Sequence, residues 1–221
     1  MKEGILVVNK PNGITSHDVV DHVRRKFNMR RVGHAGTLDP LATGVLVILL
    51  GKSTKFFDKF VSLDKAYRAT LILGTMTDSA DIKGKVLQQN DYTQVGEDQI
   101  KKAFSKFEGE IEQVPPMVSA VKVKGKKLYE LARRGIQVDR PARKITITRL
   151  EIEKIDIPNV QFYVECSKGT YVRQLAEDVG KLLGCGACIS QIERVRVGAY
   201  SIDQAVTIDK INESHIQNFK D

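Results

Sequence analysis

Residues 33–50 read GHAGTLDPLATGVLVILL, a turn-rich loop that runs directly into an apolar strand. Gly33, Gly36 and Gly44 let the backbone of this loop approach another molecule closely. The last seven residues, GVLVILL at 44–50, are apolar throughout and partly β-branched, which predicts a strand buried on both faces. The preceding stretch 30–44 is too polar for a core element, so we expect a surface loop there.

Predicted elements extend from this loop in both directions. Upstream, we predict a buried strand at 5–8, a turn at 9–13 and a helix capped by Thr15 or Ser16. Downstream, the predicted elements are a helix at 54–60, a strand at 67–73, a polar connection at 74–96, a helix at 99–107, a strand at 118–123, a short helix at 127–134, a hairpin of 145–157 with 160–166, a helix at 170–183 and a strand at 189–200. This order lacks regular βαβ alternation and predicts an α+β fold, with flanking helices on a mixed, largely antiparallel sheet. We expect residues 1–221 to form one domain.

Positive charge is concentrated in one segment of the sequence. Lys and Arg number 35 and Asp and Glu number 27, a net charge of +8. Residues 122–149 hold ten basic residues against Glu130 and Asp139, so the remainder carries 25 of each sign. A directed positive field of this kind favours a phosphate backbone as partner, and the alternative is a solvated basic face. Because Tyr129 is the only aromatic residue of the segment, we do not expect it to bind a membrane.

Several other functional classes are not expected. The sequence has no apolar run of 18 residues and no signal peptide, so we expect a cytoplasmic protein. GKST at 51–54 is similar to the end of a phosphate-binding loop, but Leu46 stands where that motif needs glycine. Cys185 and Cys188 form a CxxC pair without further zinc ligands, and the four histidines lack metal-ligand spacing, so we expect no metal site.

Asp39 and Arg173 are the candidate catalytic pair. Asp39 precedes a proline, where an aspartate commonly caps a turn, so a purely structural role is the competing interpretation. Arg173 follows Thr170, a candidate helix cap, and could pair with Asp39 to keep it ionised, or lie on a helix surface. Tyr67 and Tyr171 are either packing residues or platforms for a base.

The loop 33–46, GHAGTLDPLATGVL, resembles the signature G-H-x-G-[ST]-L-D-P-x-A-x-G-x-L of the TruB-type tRNA pseudouridine synthases. Four further blocks resemble the same family in its order: KPNGITSHDVV, KAYRATLILG, PPMVSAVKVKGKKLYELARRG and CSKGTYVRQLAEDVGKLLGCGA. Together the blocks run over most of residues 4–200. The resemblance implies an isomerase, without metal or cofactor, that converts the T-loop uridine at position 55 of tRNA to pseudouridine. We expect a monomer whose partner is the tRNA T stem-loop.

The resemblance also implies a role for each matching residue. Asp39 matches the family's essential carboxylate and Arg173 its pairing arginine. Tyr67 matches the tyrosine that stacks on the target uracil and serves in proton transfer, and Tyr171 matches a tyrosine that hydrogen-bonds in the pocket. His34 matches the histidine that fills the space left in the RNA loop when the target base flips out.

Two further parts of the site follow from the same resemblance. Ile192 is expected to wall the uracil pocket, although Glu193 stands where the family has an arginine. A basic insertion around 115–143 is expected to grip RNA phosphates, chiefly through Lys122, Lys124 and Lys126. The sequence ends at Asp221, so we expect the family's usual C-terminal RNA-binding domain to be missing, either naturally or because the sequence is cut short.

The sequence leaves the reaction route and the substrate open. A carboxylate could attack C1′ or C6 of the nucleotide, or assist an elimination that passes through a glycal. The alternatives to a T-loop synthase are a synthase that acts on another RNA and a non-catalytic module that binds or folds tRNA.

Overall fold

A computed structural model describes residues 2–119, 122–123, 125–132 and 134–219. The chain divides into two compact units, which are described separately. The first holds the residues up to Arg68 together with those from Ile192 onward, and the second holds Ala69–Gln191. Two strands, β4 (Lys65–Leu73) and β12 (Ala187–Val197), contribute residues to both units.

The first unit is built on a mixed sheet. Its other elements are β1 (Gly4–Lys10), α1 (Ser16–Phe27), β2 (Val32–Ala35), β3 (Thr43–Leu50), α2 (Phe57–Val61), β13 (Tyr200–Ser201) and β14 (Val206–Thr207), with 3-10 turns at Gly51–Phe56, Ile202–Gln204, Ile208–Lys210 and Glu213–His215. Strand β1 pairs antiparallel with β3 and parallel with β14, while β3 also pairs antiparallel with β2 and parallel with β12. The predicted apolar strand at 44–50 therefore lies inside a sheet.

Both faces of β1 and β3 are buried, which explains why their sequences are apolar without alternation. One face packs against α1 through Leu6, Leu46, Val19 and Val23. The opposite face packs around Phe60 of α2. Helix α1 begins with a capping box, as Thr15 Oγ1 accepts the backbone N–H of Asp18 at 3.1 Å and the Asp18 carboxylate accepts the N–H of Thr15 at 2.7 Å.

The second unit combines an antiparallel sheet with helices. Its elements are β5 (Thr75–Thr77), β6 (Val86–Gln89), α3 (Glu97–Phe104), a 3-10 turn (Ser105–Phe107), β7 (Gly109–Gln113), β8 (Lys122–Val123), β9 (Lys126–Lys127), α4 (Leu128–Ala132), β10 (Arg143–Asp156), β11 (Asn159–Cys166) and α5 (Val172–Leu183). Strand β10 pairs antiparallel with β11 and with β7. Two hairpins, β5–β6 and β8–β9, are separate from this sheet. The α+β fold class with a largely antiparallel sheet is confirmed.

The predicted basic insertion corresponds to a single excursion of the chain. The last residue of β7, Gln113, pairs with the first residue of β10, Arg143. Residues 114–142 therefore leave the sheet and return to the adjacent position. Within the excursion, the strand predicted at 118–123 is wrong for Val118 and Ser119, which lie in a bend, and Ala120 and Val121 lie outside the described residues.

Other local predictions were wrong in detail. The stretch 30–44 is not all loop, because Val32–Ala35 forms β2 through backbone pairing with β3. The polar connection at 74–96 contains the β5–β6 hairpin. The predicted helix cap at Thr170 was wrong as well: its hydroxyl donates to the Ser167 carbonyl, and α5 starts after Tyr171 without a side-chain cap.

Candidate active site

Asp39 lies in the loop between β2 and β3 of the first unit. Its carbonyl accepts the N–H of Ala42 at 3.0 Å, which closes a tight turn of residues 39–42. The residue is half-buried, follows the buried Leu38 and precedes the exposed Pro40. The Asp-Pro pair therefore starts a turn, as expected. The hydrogen bond that closes this turn is made by the backbone carbonyl of Asp39.

The segment between β1 and α1 holds this loop on both sides of Asp39. Ser16 is buried, and its hydroxyl accepts the N–H of Leu38 at 2.8 Å while it donates to the Leu38 carbonyl at 3.0 Å. The side chain of Asn12 donates to the Leu41 carbonyl at 3.0 Å. The backbone N–H of Gly13 donates to the Pro40 carbonyl at 2.8 Å. We call residues 10–16 the bracing segment.

Lys10 brings a buried positive charge to the same place. Its side-chain nitrogen donates to the carbonyls of Ile14 at 2.7 Å, Pro11 at 2.8 Å and Pro40 at 3.5 Å. Burial lowers the pKa of Lys10 to about 8, the negative charge of Asp39 opposes this shift, and the positive charge of Arg194 adds to it. Lys10 and Asp39 therefore interact electrostatically, and the charge of Asp39 favours the protonated form of Lys10.

Arg194, on β12, forms hydrogen bonds with the backbone on both sides of the loop. Its guanidinium, which is fully buried, donates to the carbonyl of Val45 at 2.7 Å, of Gly36 at 3.0 Å and of Thr37 at 3.4 Å. Two of these carbonyls precede Asp39 in the chain and the third follows it. The arginine thereby bonds to the backbone on both sides of Asp39.

Gly44 permits the contact between the loop and β12. It has a φ of +97° and pairs in register with Arg194. A Cβ at this position would lie 2.3 Å from the carbonyl oxygen of Arg194. Only glycine fits there, because the conformation is left-handed and the neighbouring backbone occupies the space of a side chain.

Three other predicted site residues lie in the first unit. His34, on β2, is half-buried; burial lowers its pKa, and the charges of Arg194 and His17 act in the same direction. A neutral imidazole suits stacking against bases. Tyr67 lies half-buried near the start of β4, and Ile192 packs against the core cluster that contains Leu38.

Arg173 lies in the second unit, in the first turn of α5, and is buried rather than on the helix surface. Its guanidinium donates to the carbonyls of Ser79 and Val118, the latter at 2.9 Å. It also lies 3.6 Å from the carboxylate of Asp81, which accepts from the Ser79 hydroxyl at 2.9 Å. The predicted pairing of Arg173 with Asp39 stays a prediction.

Tyr171 is held by its backbone. The side chain of Gln113, buried at the end of β7, accepts the N–H of Tyr171 at 2.8 Å and donates to its carbonyl at 3.1 Å. Tyr171 thereby takes a fixed position at the start of α5, and its own side chain is half-buried.

Two of the three lysines that were predicted to grip RNA lie in the β8–β9 hairpin of the excursion. The backbones of Lys122 and Lys126 form part of the two strands, and Lys124 lies outside the described residues. Among the described residues, no group of three or more His, Cys, Asp or Glu side chains could hold a metal ion. In the same part of the chain, no helix is both long and apolar enough to span a membrane.

Sequence reasoning missed Ser16, Lys10, Arg194, Asp81 and Gln113. Each acts on a predicted site residue, or on its neighbour in the chain, from a distant place in the sequence. None of the five has a local signal of this role; even Arg194 lies in ERVRV, where three of the five residues are charged.

The comparisons with known proteins agree on one family. The model of the TruB family pseudouridylate synthase N-terminal domain matches residues 24–172, and that of the tRNA pseudouridylate synthase B C-terminal domain matches residues 173–220. The chain is 48% identical over 216 residues to tRNA pseudouridine synthase B of Clostridium tetani (strain Massachusetts / E88), covering 98% of this chain and 75% of that protein. It is also 48% identical over 218 residues to tRNA pseudouridine synthase B of Alkaliphilus oremlandii (strain OhILAs), covering 99% and 72%.

A solved structure supports the fold. A chain of a Cbf5-Nop10-Gar1 complex matches with a TM-score of 0.75 and 30% sequence identity, over 97% of this chain and 60% of that one. The present chain thus spans about three-fifths of that solved chain. Because the first family model covers well over half of its residues, this chain belongs to the TruB family of pseudouridylate synthases.

Proposed function

We propose that the protein isomerises the T-loop uridine at position 55 of tRNA to pseudouridine, with Asp39 as the catalytic carboxylate. The observation that carries this proposal is the held position of Asp39: Ser16 and Arg194 fix the loop around it by hydrogen bonds to four backbone carbonyls and one N–H. A turn that needed only a polar cap would not need this support. The names of the two bacterial relatives support tRNA as the substrate.

The reaction requires one bond to break and one to form at the ribose. The N1–C1′ bond of the uridine breaks, the uracil turns, and C5 bonds to C1′ while the hydrogen on C5 is lost to solvent. N1 takes up a proton, so the nucleotide is neither oxidised nor reduced, and the proposal includes no cofactor. Asp39 acts at C1′ or C6, or assists elimination through a glycal, and each route needs an ionised carboxylate beside the nucleotide.

The other site residues prepare the base and the carboxylate. The target uridine leaves its stack at a cost on the order of a few kcal/mol, and His34 fills the vacated space as a neutral ring. Tyr67 stacks on the uracil and serves in proton transfer, and Tyr171 hydrogen-bonds in the pocket. Arg173 pairs with the Asp39 carboxylate.

The binding surface is proposed from the remaining features. Ile192, which packs against the core beneath the Asp39 loop, walls the uracil pocket. The excursion at 114–142 and its lysines Lys122, Lys124 and Lys126 contact phosphates of the T stem-loop. The protein acts as a monomer in the cytoplasm.

Replacing Asp39 with asparagine tests the proposal. Asparagine has nearly the same volume as aspartate and lacks its charge, so the Asp39→Asn variant should bind unmodified tRNA transcript with nearly unchanged affinity. Product formation is measured by release of tritium from tRNA that carries [5-³H]uridine, because the reaction frees the hydrogen on C5. We expect the rate to fall below detection.

The matched control is Asp58→Asn, which changes an exposed aspartate of α2 in the same unit and should leave the rate unaltered. A tRNA transcript with cytidine at position 55 controls for the substrate. Normal tritium release by Asp39→Asn would remove Asp39 from its role. Release from the cytidine-55 transcript equal to that from the normal one would show that the target is another uridine.

A further inference from the structure

Two basic segments that are distant in sequence meet in the first unit. The first, RRKFNMRR at 24–31, covers the end of α1 and the turn after it, and the second, GKSTK at 51–55, follows β3. Pairing of β2 with β3 places Val32 opposite Leu50, and the N–H of Gly51 donates to the Arg31 carbonyl at 2.9 Å. The guanidinium of Arg31 then donates to the Thr54 hydroxyl at 2.8 Å.

The two segments that meet at this junction carry six exposed cationic side chains. We define the α1–β3 basic surface by its six exposed cationic side chains: Arg25, Lys26, Arg30, Arg31, Lys52 and Lys55. In the part of the chain that the structure describes, no carboxylate lies within ion-pair distance of these six residues. Exposed cations elsewhere do have such partners, for example Lys101 with Glu97 at 3.3 Å and Lys154 with Asp156 at 3.4 Å.

A purely structural explanation accounts for only part of this surface. Cations in the last turn of a helix interact favourably with the helix dipole, which applies to Arg25 and Lys26 of α1. Arg30 and Lys52 lie beyond the helix and gain nothing from its dipole. Several like charges in one place repel one another, so the surface is unfavourable for the isolated protein and becomes favourable when an anion binds.

The surface lies near the proposed catalytic loop. Strand β2 starts directly after Arg31 and ends at Ala35, four residues before Asp39. At roughly 3.3 Å per residue, the strand separates the basic surface from the start of that loop by about 13 Å. A DNA duplex carries a charge about every 1.7 Å along its axis, and RNA likewise has one phosphate per nucleotide, so an RNA whose base reaches Asp39 brings several phosphates within this distance.

We propose that the α1–β3 basic surface binds the phosphate backbone of the RNA substrate, as a contact separate from the excursion at 114–142. This inference rests on the proposed function, because it takes the RNA to be the one whose uridine reaches Asp39. Arginine supplies half of the surface, and its planar fork of donors matches phosphate oxygens. The contacts position the RNA and do not read its sequence.

The test compares two variants that lose the same charge. The first, Arg25→Gln/Lys26→Gln/Arg30→Gln/Lys52→Gln, neutralises four cations of the surface. The second neutralises four exposed lysines of the other unit: Lys101→Gln/Lys102→Gln/Lys106→Gln/Lys154→Gln. Filter binding measures the Kd for unmodified tRNA transcript between about 0.05 and 0.5 M KCl, a range over which phosphate contacts change affinity strongly, and thermal melts verify that both variants fold.

We expect the slope of log affinity against log salt to become shallower by about 2 or more for the first variant, at roughly 0.9 for each lost duplex contact. The control should keep the wild-type slope. Equal changes in both variants would reveal only a general field and overturn the proposal. Unchanged affinity in the first variant would also overturn it and would leave an acidic protein as the partner.

The two proposals fail in distinguishable ways. Filter binding reports affinity whether or not the RNA becomes modified, so a wild-type protein that forms no pseudouridine but shows the difference in slope would refute the proposed function and retain the RNA-binding surface. A protein that is active on tRNA and shows no difference in slope would refute the surface alone.

Discussion

Removing the Ser16 hydroxyl should damage both stability and turnover. Ser16→Ala leaves the size of the residue almost unchanged and takes away one oxygen atom. That oxygen is the partner of both the N–H and the carbonyl of Leu38, at 2.8 and 3.0 Å, and Ser16 is only 2% exposed. Because water does not reach the site readily, both backbone groups of Leu38 would lose their partner.

The expected loss of stability follows from those two groups. A buried backbone group left without a partner costs about 1–3 kcal/mol, and at about 1–2 kcal/mol for each of the two groups we expect a fall of about 2–4 kcal/mol in the free energy of unfolding. In a protein of this size, each kcal/mol lowers the melting temperature by roughly 2–4 °C. Ser16→Ala should therefore melt roughly 5–15 °C below the wild type.

Turnover should fall because Leu38 is the neighbour of Asp39. A displacement of about 1 Å at a reacting group can cost as much as about 100-fold in rate, so we expect kcat to decrease by about 10–100-fold while KM for tRNA changes little. The measurements are urea unfolding curves and tritium release from saturating tRNA, both below the melting transition of the variant.

Ser62→Ala is the matched control. The Ser62 hydroxyl also donates to a backbone carbonyl, that of Lys59 at 2.8 Å, but it is exposed at the end of α2. Water can replace this bond, so the change should stay within about 0.5 kcal/mol. If Ser16→Ala were as stable and as active as Ser62→Ala, the bracing segment would have no role in holding Asp39.

Two further predictions concern the same loop. Because the pKa of Lys10 is lowered to about 8 in the folded protein from 10.5, the unfolded chain binds more protons between these pH values, and the free energy of unfolding should rise with pH. Urea unfolding at about pH 7.5–10 should show the wild type gaining up to about 1.4 kcal/mol per pH unit relative to Lys10→Met, and a constant difference would contradict this. In thermal melts, Gly44→Ala should be far less stable than Gly13→Ala. Both glycines have a positive φ, so the backbone strain is similar. A Cβ at Gly44 would lie 2.3 Å from a backbone oxygen, whereas a Cβ at Gly13 would have no atom within 4 Å. Equal melting temperatures would refute the steric argument.

Local signals in the sequence predicted the elements that depend on local interactions. Thr15 and the helical spacing of Val19, Val20 and Val23 predicted α1, and its capping box is present. The period-two pattern at 145–157 predicted the β10–β11 hairpin. Strand β2 could not be predicted in this way, because VGHA at 32–35 has little strand character of its own and is held by its bonds to β3.

The candidate site residues could be chosen from the sequence, but the residues that support them could not. Asp39, Tyr67 and Arg173 lie within motifs that are contiguous in sequence. The groups that hold the site act from far away: Arg194 contacts the Val45 carbonyl 149 residues earlier in the chain, and Gln113 contacts a residue 58 positions later. Such pairs have no local pattern, since the fold alone brings them together.

The distribution of charge in the fold could not be predicted from the sequence either. Outside 122–149 the chain holds 25 residues of each sign, which predicts a neutral remainder. The structure does not distribute those charges evenly, because β2 and β3 bring the cations of 24–31 and 51–55 together. Net charge over a long segment therefore does not predict the local field, which depends on which strands are neighbours.

The backbone near Asp39 and at Tyr171 is held by the same kind of hydrogen bonding. This arrangement allows an effect on catalysis to be separated from an effect on stability. In each case a buried side chain, Ser16 or Gln113, bonds to both the N–H and the carbonyl of a single residue. These bonds engage backbone atoms only, so Asp39→Asn leaves them in place while it removes the attraction between the Asp39 carboxylate and Lys10. Asp39→Asn should consequently melt close to the wild type, and a loss of its activity would then report on chemistry and not on folding.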